Sequence, residues 1–133
     1  MVWIGTSGFS FKGWVGPVYP PGTKPNQMFP FYVEVLGFKC LELNHTFYRQ
    51  PQARTMEALL RGGGENFRFT VKANHSLTHE AAMGMTGQEY RAASRRFLLG
   101  IEPLEEAKRL GCILAQFPSN FVPNEPNLSL LRS

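Results

Sequence analysis

The fold is decided by residues 38–48, which read FKCLELNHTFY. The first part of this stretch is a short apolar run that suits a β-strand, whose side chains would alternate between two faces. Leu41 and Leu43 would then share one face, and Glu42 and Asn44 would share the other. A parallel strand that is buried on both faces is usually apolar throughout, so a carboxylate and an amide on one face indicate a polar site.

On either side of this strand, strand-like and helix-like segments alternate four times. Strands are predicted at residues 2–5, 38–43, 67–72 and 112–117. Helices are predicted after Asn26, after Pro51, at 88–100, at 103–109 and, beginning near the end of the chain, at 128–132. This alternation indicates βα units and therefore an α/β fold with a parallel sheet.

The first two helices have the clearest sequence signals. The first would be capped by Asn26 and ended by Gly37 in a left-handed turn, and its apolar stripe would be Met28, Phe31, Tyr32, Val35 and Leu36. The second would have Pro51 at its first position and would stop at three glycines, residues 62–64. Its apolar stripe would be Ala53, Met56, Leu59 and Leu60.

The connections between these elements differ in length according to their direction. Those from a helix to the next strand are short, whereas residues 6–22 and 73–87, which lead from a strand to a helix, are long and carry polar and aromatic side chains. In parallel α/β folds the carboxyl ends of the strands carry the functional site. Because the long loops and the polar strand ends fall on the same side, we expect the site there.

The composition indicates a globular protein, with 43% hydrophobic residues and a net charge of +4. The only tight basic group is Arg91, Arg95 and Arg96, which would form a solvated helix face, so the charge favours anions only weakly. Cys40 and Cys112 fall inside predicted strands and are expected to be buried, reduced thiols. No apolar run is long enough to span a membrane and no secretory signal precedes the first strand, so we expect a cytoplasmic location.

Seven short motifs, in the same order along the chain, resemble those of the YecE-like family, a domain of unknown function. They are IGTSG at 4–8, KGW at 12–14, ELN at 42–44, TFY at 46–48, FTVK at 69–72, TH at 78–79 and QFP at 116–118. The resemblance implies a TIM barrel that is distantly similar to endonuclease-IV-type and sugar-isomerase-type barrels. His45 departs from the family pattern, which has a small residue at this place.

The resemblance also implies how much of the barrel is present. A complete barrel of this kind needs about 200 to 250 residues. Residues 1–133 are therefore expected to be the N-terminal half of one barrel domain. That half would consist of the first four βα units and would stop early in the fourth helix.

Three ionisable residues are candidate catalytic groups. Glu42 would act as a general acid or base, Lys72 would bind an anion or donate a proton, and His79 would shuttle a proton. His79 belongs to the Thr-His pair that the resemblance marks. The alternative for Glu42 and Lys72 is a buried ion pair between neighbouring strands, and the alternative for His79 is a cap of a helix or loop.

Six further residues are candidate ligand-binding groups. They are Thr6, Ser7, Trp14, Asn44, Tyr48 and Gln116. The first two would present donors to a phosphate, and the two amides would bind a hydroxyl- or amide-bearing ligand. The two aromatic residues, together with Phe47, would stack on a sugar or a base. The alternatives are an interior polar network for the amides and a packed lid for the aromatic side chains.

No cofactor is predicted. Glu42, His75 and His79 have the side-chain types of a divalent metal site, which is kept as an alternative. No helix is predicted beneath the two histidines, however, and no third ligand follows at a fixed spacing.

Two hypotheses of function follow. The first is an enzyme-like barrel mouth, hydrolase- or isomerase-like, that binds a small polar or anionic ligand, phosphorylated or sugar-like. The second, suggested by the distant resemblance and the net charge, is a nucleic-acid-binding or endonuclease-like protein. A four-unit sheet would also leave its two outer edges unpaired and its inward apolar side chains, such as Ile4 and Leu114, uncovered. We therefore expect self-association through the open sheet edges.

Overall fold

The computed structural model describes residues 2–132 as a parallel β-sheet surrounded by helices. The strands are β1 (Gly5–Ser7), β2 (Cys40–Leu43), β3 (Arg68–Lys72) and β4 (Leu110–Leu114). The helices are α1 (Pro25–Glu34), α2 (His45–Tyr48), α3 (Ala53–Gly63), α4 (His79–Ala82), α5 (Gly87–Glu106) and α6 (Glu125–Arg132), with single 3-10 turns at Lys12–Trp14 and His75–Leu77. Within the described residues, no helix is both long and apolar enough to cross a membrane.

The four strands form one sheet in the order β1-β2-β3-β4, and every neighbouring pair is parallel. The α/β fold with a parallel sheet is thus confirmed. One row of paired residues runs across the sheet through Ser7, Glu42, Thr70 and Cys112. Gly111 has no partner in the β3–β4 ladder and forms a bulge, a position where glycine is common.

One face of the sheet packs against the helices and forms the core. Leu41 and Leu43 are almost completely buried there, as the alternation predicts, and Glu42 lies on the opposite face. The core consists of Phe29, Tyr32, Leu41, Leu43, Met56, Phe67, Phe69, Val71, Phe97, Ile101 and Leu104. Burial of each such side chain contributes roughly 1.5–3 kcal/mol, so this layer is the main source of stability.

The two outer strands differ most from the sequence prediction. The first strand is Gly5–Ser7 and not 2–5, so Thr6 and Ser7 belong to the sheet and not to the following loop. The fourth strand, predicted at 112–117, is Leu110–Leu114, which places Gln116 beyond its end. Both strands lie at an edge of the sheet and pair with a neighbour on one side only. The sequence therefore marks the ends of these strands only weakly.

The helices also differ in detail. The segments predicted at 88–100 and 103–109 are one continuous helix, α5, which contains Pro103. A proline inside a helix removes one hydrogen bond, and the burial of Ile101 and Leu104 on either side of it compensates. In α1 the N-cap is Lys24, whose backbone N–H donates to Gln27 Oε1 at 2.8 Å, and Asn26 lies inside the first turn.

The apolar stripes of α1 and α3 are only partly as predicted. Val35 is exposed, whereas Phe29, which the predicted stripe leaves out, is buried. The second predicted helix corresponds to α3. It begins at Ala53, two residues later than the predicted start at Pro51, and Ala53 itself is exposed. Gly37 does follow α1 in the left-handed region, with φ of 72°.

The face of the sheet opposite the helices is uncovered. Cys112 is exposed on this face and Cys40 is half-buried, so the prediction of two buried thiols is wrong for Cys112. Leu114 is 39% exposed on the same face, as expected. Ile4 is also exposed, but it lies three residues before Ser7. By alternation its side chain points to the helix side of the sheet and not to the uncovered face, where it was expected.

Gly100 brings α5 close to the connection between α2 and α3. It is buried, and a Cβ atom at this position would lie 2.4 Å from the carbonyl oxygen of Pro51, which is too close for any side chain. The close approach holds the residues after α2 against the end of the sheet.

Candidate functional site

Polar side chains collect where β1 and β2 end. Ser7 Oγ donates to Glu42 Oε1 at 2.6 Å, and Asn44 Nδ2 donates to Ser7 Oγ at 2.5 Å. Ser7 and Glu42 are paired residues of adjacent strands, so their side chains leave the sheet on the same face. We call Ser7, Glu42 and Asn44 the carboxylate cluster. It brings together three of the residues predicted for the site.

A small cavity lies beside the carboxylate cluster. Its volume is about 180 Å³, and its lining includes Phe9, Phe11, Leu43, Glu42, Asn44 and His45. Partial burial lowers the pKa of His45 below its ordinary value, which favours the neutral ring. The sequence prediction omits Phe9, Phe11 and His45. The aromatic composition of the loop after β1 is the signal that would have indicated the first two.

A second group of side chains surrounds the ring of Phe47 at the end of β3. Lys72 Nζ lies 4.8 Å from the centre of this ring. The rings of His79 and His75 approach it edge-on, at 5.2 Å and 6.0 Å between centroids. We call Phe47, Lys72, His75 and His79 the aromatic–basic cluster. It joins two predicted catalytic residues, Lys72 and His79.

The two histidines of this cluster are oriented by neighbouring polar atoms. Nδ1 of His79 lies 3.1 Å from the hydroxyl of Thr78, and Nδ1 of His75 lies 2.7 Å from Glu80 Oε1. These contacts engage Nδ1 of each ring, and among residues 2–132 neither Nε2 makes a hydrogen bond.

The aromatic–basic cluster rests on a buried polar network. Asn74 Nδ2 donates to the backbone oxygens of Thr46 and Phe47 at 2.9 and 3.1 Å, and Asn74 Oδ1 accepts from the amide and hydroxyl of Ser76. Thr46 Oγ1 contacts the backbone oxygens of Leu43 and Lys72 at 2.7 and 2.6 Å. Sequence reasoning missed these residues, although Asn-x-Ser at 74–76 is a recognisable Asx-turn signal.

Glu42 and Lys72 do not form the ion pair that was offered as an alternative. Glu42 is paired with Thr70, and Lys72 lies two residues further along β3, paired with Leu114. The two ion pairs in residues 2–132 are His75–Glu80 and Glu125–Arg132. Glu42 therefore contacts Ser7, and Lys72 lies against Phe47.

The other predicted binding residues belong to neither cluster, although Tyr48 packs against Phe47 and Trp14 packs against Phe11. Thr6 faces the helices, where its amide and its hydroxyl contact the phenol oxygen of Tyr32 at 2.8 and 3.0 Å. Trp14 packs between Phe11 and Tyr19, as a lid would.

Tyr48 and Gln116 are both exposed. Tyr48 is 74% exposed and packs edge-on against Phe47. Gln116 lies two residues beyond the end of β4.

No group of three or more His, Cys, Asp or Glu side chains among residues 2–132 is arranged to hold a metal ion. Larger surface clefts exist, one of about 600 Å³ along the outer side of α5 and one of about 630 Å³ beside the glycines at 62–64. Neither lies at the carboxyl ends of the strands, where parallel α/β proteins place their sites. A cleft of about 320 Å³ does follow β3 and β4, beside Ala73 and Ala115, but its lining is mostly apolar and holds no acidic or basic side chain. The volume of these clefts therefore does not outweigh the chemistry of the two clusters.

The fold and the site together define an α/β protein with a parallel sheet whose polar and charged side chains collect at the carboxyl ends of its strands. Comparison with known families agrees with this class. The chain belongs to the family described as "Protein of unknown function DUF72", whose profile matches residues 3–133. The YecE-like family is the same family under another name, so the resemblance is confirmed.

Relatives of known sequence or structure support the assignment. The UPF0759 protein YunF of Bacillus subtilis (strain 168) is 27% identical over 132 residues, which are 99% of this chain and 45% of YunF. The crystal structure of a DUF72 family protein from Thermotoga maritima MSB8 is similar with a TM-score of 0.84 and 43% identity, over 99% of this chain and 50% of that one.

A DUF72 family protein from Enterococcus faecalis V583 shares the fold, with a TM-score of 0.77 at 22% identity over 99% of this chain and 45% of its own. The chain thus spans about half the length of the relatives it matches.

Proposed function

We propose that the carboxyl end of this sheet is an enzyme-like site for a small polar ligand that carries an anionic group, such as a sugar phosphate. The observation that carries the proposal is a pair of opposite charges without charged partners. Among residues 2–132 the carboxylate of Glu42 is hydrogen-bonded only to Ser7, and Lys72 Nζ lies over the ring of Phe47. Both lie at the same end of the sheet, and neither is among the ion pairs of residues 2–132.

Unpaired charges of this kind suit the recognition of a ligand that has two different ends. Two residues along a strand and one strand spacing separate the backbone positions of Glu42 and Lys72, which corresponds to about 8 Å. That distance matches a small molecule with a phosphate at one end and hydroxyl groups at the other. Lys72 and the Nε2–H of His79 would bind the anionic group as donors, and Nε2 of His75 would join them when that ring is protonated.

Glu42 would accept a proton from the ligand. Its Oε1 is held by Ser7, and this orients the second carboxylate oxygen for proton transfer. A protonated His79 would give a second proton to another ligand atom through Nε2, since its Nδ1 faces Thr78; the resting state returns when Glu42 releases its proton to solvent and His79 takes one up. Proton transfer of this type serves both isomerase-like and hydrolase-like reactions.

A thermal-shift screen with sugar phosphates tests the proposal. A ligand at one hundred times its Kd stabilises a folded protein by about 2.7 kcal/mol, so a binding compound raises Tm measurably. We expect Lys72→Met to abolish this shift. Glu42→Gln should leave a reduced shift, because the anionic group still binds, and should stop turnover of the compound, followed by NMR. Lys39→Met, at the opposite end of the sheet, is the matched control and should behave as wild type.

Two results would contradict the proposal. One is that no sugar phosphate or nucleotide raises Tm and that Glu42→Gln alters neither ligand binding nor turnover. The other is binding of DNA oligonucleotides that falls steeply with salt, because counterion release is the mark of nucleic-acid binding. That result would favour the endonuclease-like alternative.

We further propose that the sheet is half of a closed β/α barrel, the first four βα units of one domain. Support comes from the free outer edges of β1 and β4 and from the uncovered face that carries Glu42, Lys72 and Cys112. Unpaired edges and exposed apolar side chains favour association. We therefore expect residues 1–133 alone to sediment as a dimer at micromolar concentration, whereas a cooperative monomer of 15.0 kDa would contradict the half-barrel interpretation.

A further inference from the structure

We infer that the cavity beside Glu42 is a subsite for a single sugar-sized ring that presents two adjacent hydroxyl groups. The inference rests on the proposed function, because it assigns one end of the proposed ligand to one part of the site. It is argued from the protons of the carboxylate cluster, the size of the cavity and the nature of its walls.

The hydrogen bonds of the carboxylate cluster fix which atoms remain for a ligand. A carboxylate accepts hydrogen bonds and Ser7 has one hydroxyl proton, so Ser7 donates to Glu42. The oxygen of Ser7 then needs a donor, which identifies the atom that Asn44 points toward it as the amide nitrogen. The amide oxygen of Asn44 is thereby turned away from Ser7.

Three hydrogen-bonding positions are left at the rim of the cavity. Within residues 2–132, Glu42 Oε2 and Asn44 Oδ1 make no hydrogen bond, and both are acceptors. The second N–H of Asn44 remains as a donor. A hydroxyl group both donates and accepts, so two adjacent hydroxyls satisfy all three positions, whereas ethers and ketones satisfy only the donor.

The volume of the cavity fits one ring. A cavity of 150 Å³ in another protein holds a benzene molecule, and the cavity here has about 180 Å³. One five- or six-membered ring with two hydroxyl groups therefore fills it. A phosphate attached to such a ring would lie outside the cavity.

The walls of the cavity are apolar and held in place. Phe9 packs against Phe29, with 5.2 Å between ring centroids, and Phe11 packs against Trp14 at 5.1 Å. Aromatic rings fixed in this way offer apolar surface to the C–H face of a sugar ring. A polar rim above an apolar wall matches the two faces of a cyclic diol.

Uncharged probes test the inference separately from the anion site. We would measure the Kd of cis-1,2-cyclohexanediol and of its dimethyl ether by NMR titration of the intact protein. The ether has the same ring without donors, and we expect it to bind at least tenfold more weakly. Asn44→Leu and Glu42→Gln should each reduce diol binding severalfold or more, whereas Asn66→Leu, exposed at the opposite end of the sheet, should not.

The outcomes distinguish the two proposals. Equal binding of the diol and its ether, or tighter binding of a planar amine such as 2-aminopyridine, would overturn the subsite. Diol binding that survives in Lys72→Met supports the subsite, even if no phosphorylated compound binds and the proposed function fails. Because Asn44 and Glu42 are changed in separate proteins, misfolding of one variant, visible by circular dichroism, leaves the other to decide.

Discussion

The two clusters at the carboxyl ends of the strands are held in different ways. The carboxylate cluster lies on β1 and at the end of β2, and its hydrogen bonds join side chains that are exposed or half-buried. The aromatic–basic cluster lies on α2, at the end of β3, on the 3-10 turn that follows β3 and at the start of α4. It is supported from below by Thr46 and Asn74, which are both buried.

This difference separates recognition from stability. Removing a buried hydrogen-bonding group leaves its partners unsatisfied at a cost of about 1–3 kcal/mol for each, whereas an exposed partner turns to water. The aromatic–basic cluster is therefore coupled to the stability of the fold, and the carboxylate cluster is free to be specialised for a ligand. Four measurements would break or sharpen the contrast.

The largest effect is expected for Asn74→Ala. The side chain of Asn74 is 3% exposed and bonds to the backbone oxygens of Thr46 and Phe47 and to Ser76. Its loss should lower the free energy of unfolding by about 2–4 kcal/mol, measured by urea denaturation. Asn66→Ala, at an exposed site, should change it by less than about 0.5 kcal/mol. Equal effects of the two would mean that the network does not support the cluster.

Thr46→Val tests the same network with a smaller change. Valine has the shape of threonine without the hydroxyl, so the contacts of Oγ1 with the oxygens of Leu43 and Lys72 disappear. The single hydroxyl proton serves one of these oxygens at a time. We therefore expect a loss of about 1–2 kcal/mol. Thr55→Val in α3 is the matched control, and a similar loss there would point to a general cost of valine.

Ser7→Ala should show the reverse pattern. Ser7 is exposed, so the free energy of unfolding should stay within about 0.5 kcal/mol of the wild type. The diol probe should nevertheless bind severalfold more weakly, because Glu42 and Asn44 lose the atom that orients both of them. A large loss of stability would instead mean that the carboxylate cluster, like the aromatic–basic cluster, is coupled to the stability of the fold.

The smallest effect concerns the pH dependence of stability at His45. Burial lowers the pKa of this ring in the folded state below 6.5, its ordinary value. The unfolded state then binds the proton more readily, so this contribution to stability is present above pH 6.5 and is lost as the pH falls through the folded pKa.

The effect should be small because His45 remains substantially exposed. Urea midpoints of the wild type and His45→Gln at pH 7.5 and 5 measure it. The wild type should lose more stability on acidification, and parallel profiles would contradict the shift.

Much of the fold follows from local patterns, and the candidate site follows only in part. The alternation in β2 and β3 places Leu41, Glu42 and Phe69 on the correct faces because a buried face leaves a period of two in the sequence. By contrast, α2 is four residues long and shows no period, so Asn-x-Ser at 74–76 is the one sequence signal for the support beneath Phe47.

The contact partners of Glu42 and Lys72 depend on the relative shift of neighbouring strands. That shift is set by the βα connections and by packing, and not by either strand alone. The two side chains do lie on the same face of the sheet, as an ion pair requires. The register of β2 and β3, however, pairs Glu42 with Thr70 and leaves Lys72 two residues further along. The cavity beside Glu42 was missed for a similar reason, since the loop after β1 returns to the sheet through contacts of Phe9 that are distant in sequence.

The order of strands in the sheet has a consequence for synthesis on the ribosome. Each strand pairs with the one made just before it, so no strand has to enter between two that are already joined. Chains emerge at about 5–20 residues per second, N-terminus first. Each βα unit of this protein can therefore dock on its predecessor as soon as it leaves the exit tunnel, and the sheet grows in one direction, always at its newest edge.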